Sequence, residues 1–319
     1  MADPYTVLLS EVMLQQTTVA TVSQRFAPFR ERFPSLAALA AAPLDELLHA
    51  WQGLGYYRRA RALQALARQV VAEHGARLPD AADALAALPG IGPYTAAAVA
   101  AIAFARPVLP VDGNIARVLS RLAALERPLP GGLAEVRKLA QELAPGARPG
   151  DFAQALMDLG AALCRPTAPR CPSCPWRSAC RAHAQGRAAE LPRRTARAAR
   201  PLHHATAFLV RRGDGAVLLR RRPERGLLAG LHELPSTPWS GVRPWADRAA
   251  LAHAPPGARW QPLPGAVRHV FTHLALAVQV MAGSGDDPAD GRFVAPRDLG
   301  ALALPTLTRK LLRHAGINA

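Results

Sequence analysis

Four cysteines, Cys164, Cys171, Cys174 and Cys180, are the only thiols in a chain of 319 residues, and all fall in one short segment, CRPTAPRCPSCPWRSAC. Their spacing is C-x6-C-x2-C-x5-C. A secreted disulfide framework spreads its bridges across distant loops and belongs mainly to chains too small to build a core. This chain is long enough for one or two full cores. Its start, MADPYTVLLSEVMLQQT, is too polar for a signal peptide and has no cleavage motif. The expected compartment is therefore reducing, and clustered thiols there read as metal ligands. Structural zinc favours paired knuckles, whereas one C-x2-C pair flanked by two outlying cysteines suits the corners of a cubane. The reading is a [4Fe–4S] cluster on Cys164, Cys171, Cys174 and Cys180, with zinc as the alternative and a structural role in either case.

Two carboxylates stand before helical runs. Asp112, in PVDGNIARVLSRL, is placed to cap a helix N-terminus. Glu11, in LSEVMLQQT, is expected in the first turn of a helix, where it would complement the dipole. Each taken singly has that structural explanation. Between them, LPGIGPYTAAAVAAIA follows a short helical run and opens a longer one. Gly90 and Gly92 permit a tight helix–turn–helix, and Pro93 suits the first turn of the second helix. Amides at that helix start could bind a phosphate, or the segment could be an ordinary helical hairpin.

The elements that carry these groups divide the chain. From Val7 to about Leu163, segments such as SLAALAAAPLDELLHAW and RRARALQALARQVVAEHG repeat apolar residues at helical spacing, broken by Gly or Pro. This predicts many short helices. After the cysteines, RAAELPRRTARAARPLHH is basic and aperiodic and reads as a linker. Beyond it TAFLVRR, AVLLRRR and HLALAVQVM are β-leaning runs with Gly-Asp turns. The predicted domains are 1–186, all-α with the cysteine segment; 187–204, a linker; and 205–319, α+β. Net charge is +16 and the pI about 11.2, so polyanions are the natural partners. Residues 1–186 hold 19 basic and 14 acidic side chains, and the remainder holds 20 and 9, so the second part carries the denser field. No apolar stretch approaches the roughly 20 residues that span a bilayer.

Taken together and in order, SEVMLQQT, WQGLGYYRRARAL, LPGIGPYTA, VDGNIARVLSR, QALMDLGAALC and the cysteine spacing resemble the MutY-type adenine DNA glycosylases. These belong to the helix-hairpin-helix glycosylase superfamily, which also holds endonuclease III. The resemblance covers about residues 3–186, and the later segment is similar to the family's C-terminal MutT/Nudix-like domain. It implies excision of adenine mispaired with 8-oxoguanine or guanine in duplex DNA. Glu11 would be the general acid that protonates adenine, and Asp112 the anion that stabilises the cationic sugar. A closed pocket around the flipped base would raise the pKa of Glu11. Tyr94 and Asn114 match positions that support Asp112 and the reaction centre. Gln154 falls where the family contacts adenine. Gly90 and Gly92 lie in the DNA-binding hairpin, while Gln16 and Tyr56, with Leu14 close by, match residues that wedge beside the oxidised guanine. One of the pair Tyr56 and Tyr57 is expected in the core.

Where lyase members of the superfamily carry a hairpin lysine, this chain has Tyr94, and neither Lys138 nor Lys310 lies in a glycosylase motif, so a monofunctional enzyme is expected. Phe271, Thr272 and His273 resemble a Phe-Ser-His loop that probes 8-oxoguanine, with threonine keeping the hydroxyl. The glutamate-rich helix of a pyrophosphate-cleaving Nudix enzyme is missing, because Glu224 and Glu233 alone do not supply its metal-binding carboxylates. The sequence departs from the family pattern at its start, ten residues before Glu11, where a further helix and a Pro-Trp-Arg-like segment are expected. Ala116 replaces a basic residue, which implies one phosphate contact fewer. The expected protein is a monomer in the bacterial cytoplasm, at the nucleoid, with no membrane partner. Two other readings stay open: a superfamily glycosylase for G·T mismatches or oxidised pyrimidines, and a catalytically impaired DNA-binding module.

Overall fold

The computed structural model describes residues 2–196, 199–239, 243–287 and 291–318. In chain order the early helices are α1 (Pro4–Leu14), α2 (Val19–Arg32), α3 (Leu36–Ala41), α4 (Leu44–Ala50), α5 (Arg58–His74) and α6 (Ala82–Ala86). They are followed by α7 (Pro93–Phe104), α8 (Gly113–Leu122), α9 (Leu133–Leu143), α10 (Pro149–Ala162) and α11 (Arg181–Ala184). Strands β1 (Leu202–Arg211), β2 (Val217–Arg221) and β3 (His232–Glu233) precede α12 (Asp247–Leu251). Strands β4 (Gln261–Val270), β5 (Ala275–Ser284) and β6 (Arg292–Val294) precede α13 (Thr306–His314).

Two compact units result, one of Met1–Ala41 with Ala62–Arg197, the other of Ala42–Arg61 with Ala198–Ala319. In the first, α7 is apolar nearly all round and buried, as a helix of that composition must be. Helices α1, α6 and α10 pack on it. Helix α8 lies against α9, α10 and α11 over a core that includes Leu109, Ile115, Leu119, Val136 and Leu156. Gly160 lets α10 approach the start of α8, because a Cβ there would stand 2.7 Å from the Cβ of Asn114. The loop before α8 is thereby held at a fixed height.

The second unit holds a sheet in the order β3-β2-β1-β5-β4, with β6 on β2 and β1 parallel to β5 along its length. Its core combines Leu209, Val217, Leu276, Val278 and Val280 of the sheet with Leu311 and Leu312 of α13. The expected strands TAFLVRR, AVLLRRR and HLALAVQVM are β1, β2 and β5.

Two boundaries differ from the sequence expectation. Residues 42–61, assigned to the helical domain, cluster with the second unit, so that the division falls within α5. The expected linker 187–204 is largely built into structure. Ala188 and Leu191 are buried, Arg187 pairs with Glu126, and Leu129 donates its N–H to Arg193 at 2.8 Å. At its other end β1 already begins at Leu202. Two apolar side chains among the arginines are enough to anchor it, and the dense charge hides them from a periodicity search. Arg197 and Ala198 lie outside the described residues.

Candidate active site

Glu11 is the eighth of the eleven residues of α1. This corrects the first-turn expectation, and no favourable dipole contribution is available so far along the helix. It is 8% exposed, among Leu8, Leu9, Val12 and Met13. Burial pushes its carboxyl pKa up, the hydrogen bond from Tyr94 opposes that rise, and the negative charge of Asp112 adds to it. Glu11 and Asp112, far apart in sequence, therefore act on one another in one site. Tyr94 is the second residue of α7, and its hydroxyl also lies 4.0 Å from Sδ of Met157 on α10. Burial first, then Glu11 and Asp112, drive the Tyr94 phenol above its ordinary range, so it stays protonated and can only donate to the carboxylates.

Asp112 is the N-cap of α8, and its Oδ1 accepts the Ile115 N–H at 2.7 Å, as expected. Asn114, two residues on, accepts from Nη2 of Arg117 at 2.9 Å. The hairpin forms between α6 and α7 as predicted. Gly90 is required there, since its φ is +76° and a Cβ would meet the Cβ of Ala62 at 2.5 Å. Gly92 is the N-cap of α7 in extended conformation, with Pro93 after it and no side-chain cap for the following amides. A Cβ on Gly92 would meet nothing within 4 Å, so its small size is not needed by the fold.

Around this centre the other expected residues are placed unequally. Leu14 closes α1, and Gln15 donates to Thr95 Oγ1 at 2.9 Å, fixing the segment to α7. Gln16 is exposed with φ +58°, a conformation that side chains other than glycine adopt at some cost. Gln154 is exposed on α10 and donates to Gly150 O at 3.0 Å, one turn before Met157. An apolar groove of about 390 Å³ lies along α10 between Phe152, Leu159 and Trp176. At 3.6 residues per turn Phe152 and Leu159 project about 140–160° away from Met157, so the groove opens away from the side of α10 that meets Tyr94.

All four cysteines are free and half-buried. Burial, then Cys180 and Cys164, with a smaller effect from Cys174, raise the pKa of the Cys171 thiol against an opposing effect of Arg121, so each of the other three sulfurs lies near enough to act on Cys171. Arg121, only 2% exposed, donates from Nη1 to Cys164 Sγ at 3.2 Å and to Arg165 O at 2.8 Å, and its carbonyl accepts from Cys180 Sγ at 3.5 Å. An all-sulfur donor set with a buried guanidinium beside it fits a thiolate-bound cluster. Among the described residues no three or more His, Cys, Asp or Glu side chains are grouped to hold a single metal ion.

In the second unit, Phe271, Thr272 and His273 form the turn between β4 and β5, closed by the Phe271 N–H to Leu274 O at 2.8 Å. Phe271 stacks on Trp239 at 5.6 Å and meets His269 edge-on at 4.5 Å, whereas Thr272 and His273 are exposed. Phe271 is thus the anchor of the turn and the other two its tip. Tyr56 is 45% exposed with φ +47°, and its hydroxyl hydrogen-bonds to Oγ1 of Thr272; Tyr57 is the buried member of the pair. Among the described residues no helix forms between β2 and β3, and both glutamates there are engaged by arginines, Glu224 by Arg61 and Glu233 by Arg220 and Arg222.

Residues 9–145 match the HhH-GPD superfamily of base excision DNA repair proteins, and residues 206–314 match the NUDIX domain. The adenine DNA glycosylase of Homo sapiens is 36% identical over 372 aligned residues, which cover 97% of this chain and 67% of that protein. That of Rattus norvegicus is 37% identical, covering 97% of this chain and 71% of the relative. The chain belongs to the adenine DNA glycosylase family. A solved thermostable thymine-DNA glycosylase is 31% identical with a TM-score of 0.53, and it covers 58% of this chain and 86% of its own. The adenine glycosylases thus match along nearly the whole chain, across both units.

Within this family member, sequence reasoning missed Arg117. It is 5% exposed and donates from Nε to Cys164 O and from Nη2 to Gly160 O, each at 2.7 Å, besides Asn114. It joins the loop of Asp112, the end of α10 and the first cysteine. The available signal was two arginines four residues apart, Arg117 and Arg121, aligned on the side of α8 opposite Ile115, Leu119 and Leu122. Ala116 is also corrected: at 4% exposure it is a core residue, so a phosphate contact is not what that position offers.

Proposed function

We propose that this chain excises adenine mispaired with 8-oxoguanine or guanine from duplex DNA by monofunctional hydrolysis of the N-glycosidic bond. The observation that carries the reading is the buried Glu11 carboxyl, its pKa raised, beside Asp112 and Tyr94. Glu11 in its acid form gives a proton to a ring nitrogen of the extruded base. The bond from the sugar C1′ to the base then breaks with its electron pair on a neutral leaving group. Asp112, held by its capping bond to Ile115, faces the oxocarbenium-like sugar. Water attacks C1′ and returns its proton to Glu11. Tyr94 occupies the hairpin position where an amine nucleophile would stand, so the strand stays intact.

The uncapped amides at the start of α7 suit a backbone phosphate, and the net charge of +16 supports binding that weakens with salt. Gln154 is assigned to the extruded adenine. Leu14, Gln16 and Tyr56 are assigned to the duplex beside the oxidised guanine, with Thr272 and His273 reading that base. Cys164, Cys171, Cys174 and Cys180 would hold a [4Fe–4S] cluster, which when bound supplies a rigid cross-link for its loop. Arg121 and Arg117 would carry that rigidity to the Asp112 loop. The enzyme is proposed to act as a monomer at the bacterial nucleoid.

Single-turnover release of free base tests the reading, using duplexes with A opposite 8-oxoguanine, A opposite G, T opposite G, and thymine glycol. Adenine alone should be released, and borohydride should trap no covalent adduct in high yield. Release of thymine in preference to adenine would replace the reading with another superfamily activity. Iron content and visible absorbance, present in wild type and lost in Cys171→Ser, test the cluster.

A further inference from the structure

The turn between α4 and α5 has an unusual backbone. Gly53, Gly55 and Tyr56 have φ of 92°, 67° and 47° in close succession. Glycine adopts such angles freely, but tyrosine does so only where its surroundings hold it. Arg59 supplies that hold. Its Nη2 donates to Leu54 O at 2.9 Å and to Gly55 O at 3.3 Å, and its own N–H donates to Tyr56 O at 2.8 Å. The guanidinium carbon lies 5.3 Å from the centroid of the Trp51 ring and 5.6 Å from that of Tyr56. Trp51, fully buried, donates Nε1–H to Gly55 O at 3.0 Å and so anchors the same carbonyl. Burial lowers the pKa of Arg59 to about 10, so it remains a cation at neutral pH.

We infer that Arg59 is the positioning residue that aims Tyr56 at the base opposite adenine, and thereby sets the preference for 8-oxoguanine over guanine. The inference rests on the proposed function, which gives Tyr56 its place in the duplex. The planar guanidinium meets two carbonyls and two ring faces at once, whereas an ammonium cannot do both. Without it, the Tyr56 ring keeps its bond to Thr272 but loses the stack that fixes its plane. Both base pairs are then met by a ring of variable tilt, and the oxidised base loses more because its recognition depends on that tilt.

The test is a double-mutant cycle of Arg59→Lys and Tyr56→Ala in the full chain. Affinities are measured for duplexes carrying 2′-fluoro-2′-deoxyadenosine, which resists cleavage, opposite 8-oxoguanine, guanine or thymine. Arg59→Lys is expected to reduce the 8-oxoguanine-to-guanine preference roughly three- to tenfold, the size of a lost cation–ring contact. In the Tyr56→Ala background it should leave the preference unchanged. An equal reduction in both backgrounds, or none in the first, overturns the inference. Arg59→Gln serves as a second variant, and loss of the cooperative helical melt in both would likewise overturn it, making Arg59 a folding residue first. If wild type shows no preference for either mispair over A·T, the proposed function itself fails, a separate result.

Discussion

Replacing Glu11 by Gln should injure catalysis and strengthen the fold. The Glu11 carboxyl has an ordinary pKa of 4.5, raised in the folded state chiefly by burial. Between those two values the folded chain binds more protons than the unfolded one, so stability falls as pH rises through the window. The loss is about 1.4 kcal/mol for each pH unit that the window spans, and it is complete above the folded pKa. Glutamine has no proton to lose and can still accept the Tyr94 hydroxyl. The variant should therefore melt with wild type near pH 4 and above it at pH 8. At about 2–4 °C per kcal/mol, the melting points should separate by roughly 3–6 °C for every pH unit of that window. Loss of the general acid should slow excision by about 10²–10⁴-fold, equivalent to about 3–5 kcal/mol of transition-state stabilisation. Thermal melts at pH 4 and pH 8 and single-turnover excision at pH 7 read the two effects. A glutamine variant that melts below wild type at pH 8, or that excises within tenfold of it, would refute the reasoning.

The Tyr94 hydroxyl lowers the Glu11 pKa, so Tyr94→Phe should move the alkaline limb of the excision profile to higher pH while reducing its maximum; a shift to lower pH would contradict the assignment. Gly90→Ala adds a Cβ 2.5 Å from that of Ala62 at a positive φ, and should cost about 1–3 kcal/mol in urea unfolding. Gly92→Ala meets nothing within 4 Å and should unfold within about 0.5 kcal/mol of wild type. Its methyl group, set at the proposed phosphate site, should instead appear as weaker duplex binding.

Local chemistry made much of the site legible. Asp112 reads as a cap because a short carboxylate before an apolar run has one favoured use, and the structure places it there. Gly90 and Pro93 announce the hairpin through their backbone preferences, whereas Gly92 takes an extended conformation open to any residue. Phe271, Thr272 and His273 were marked by resemblance to a lesion-probing loop, although only packing against Trp239 makes Phe271 the anchor of that turn. Glu11 was misplaced within its helix because SEVMLQQT has no start signal of its own. Asp3 caps α1 from eight residues upstream, and that residue looks like any charged one near a terminus.

Residue types and their order were sufficient for the helical and sheet regions, the cap at Asp112 and the four-thiol segment, since capping, turn geometry and periodicity act over a few neighbouring residues. The pairing of Glu11 with Asp112 came from the family resemblance alone. Packing alone determined that Glu11 is desolvated, that Tyr94 and Asp112 act on it, and that Arg117 and Arg121 reach the cysteine loop. It also assigned residues 42–61 to the second unit and built most of the arginine-rich stretch into structure. The reason is that desolvation and charge coupling depend on every group surrounding a side chain. Those neighbours come from segments that meet only when the chain has folded.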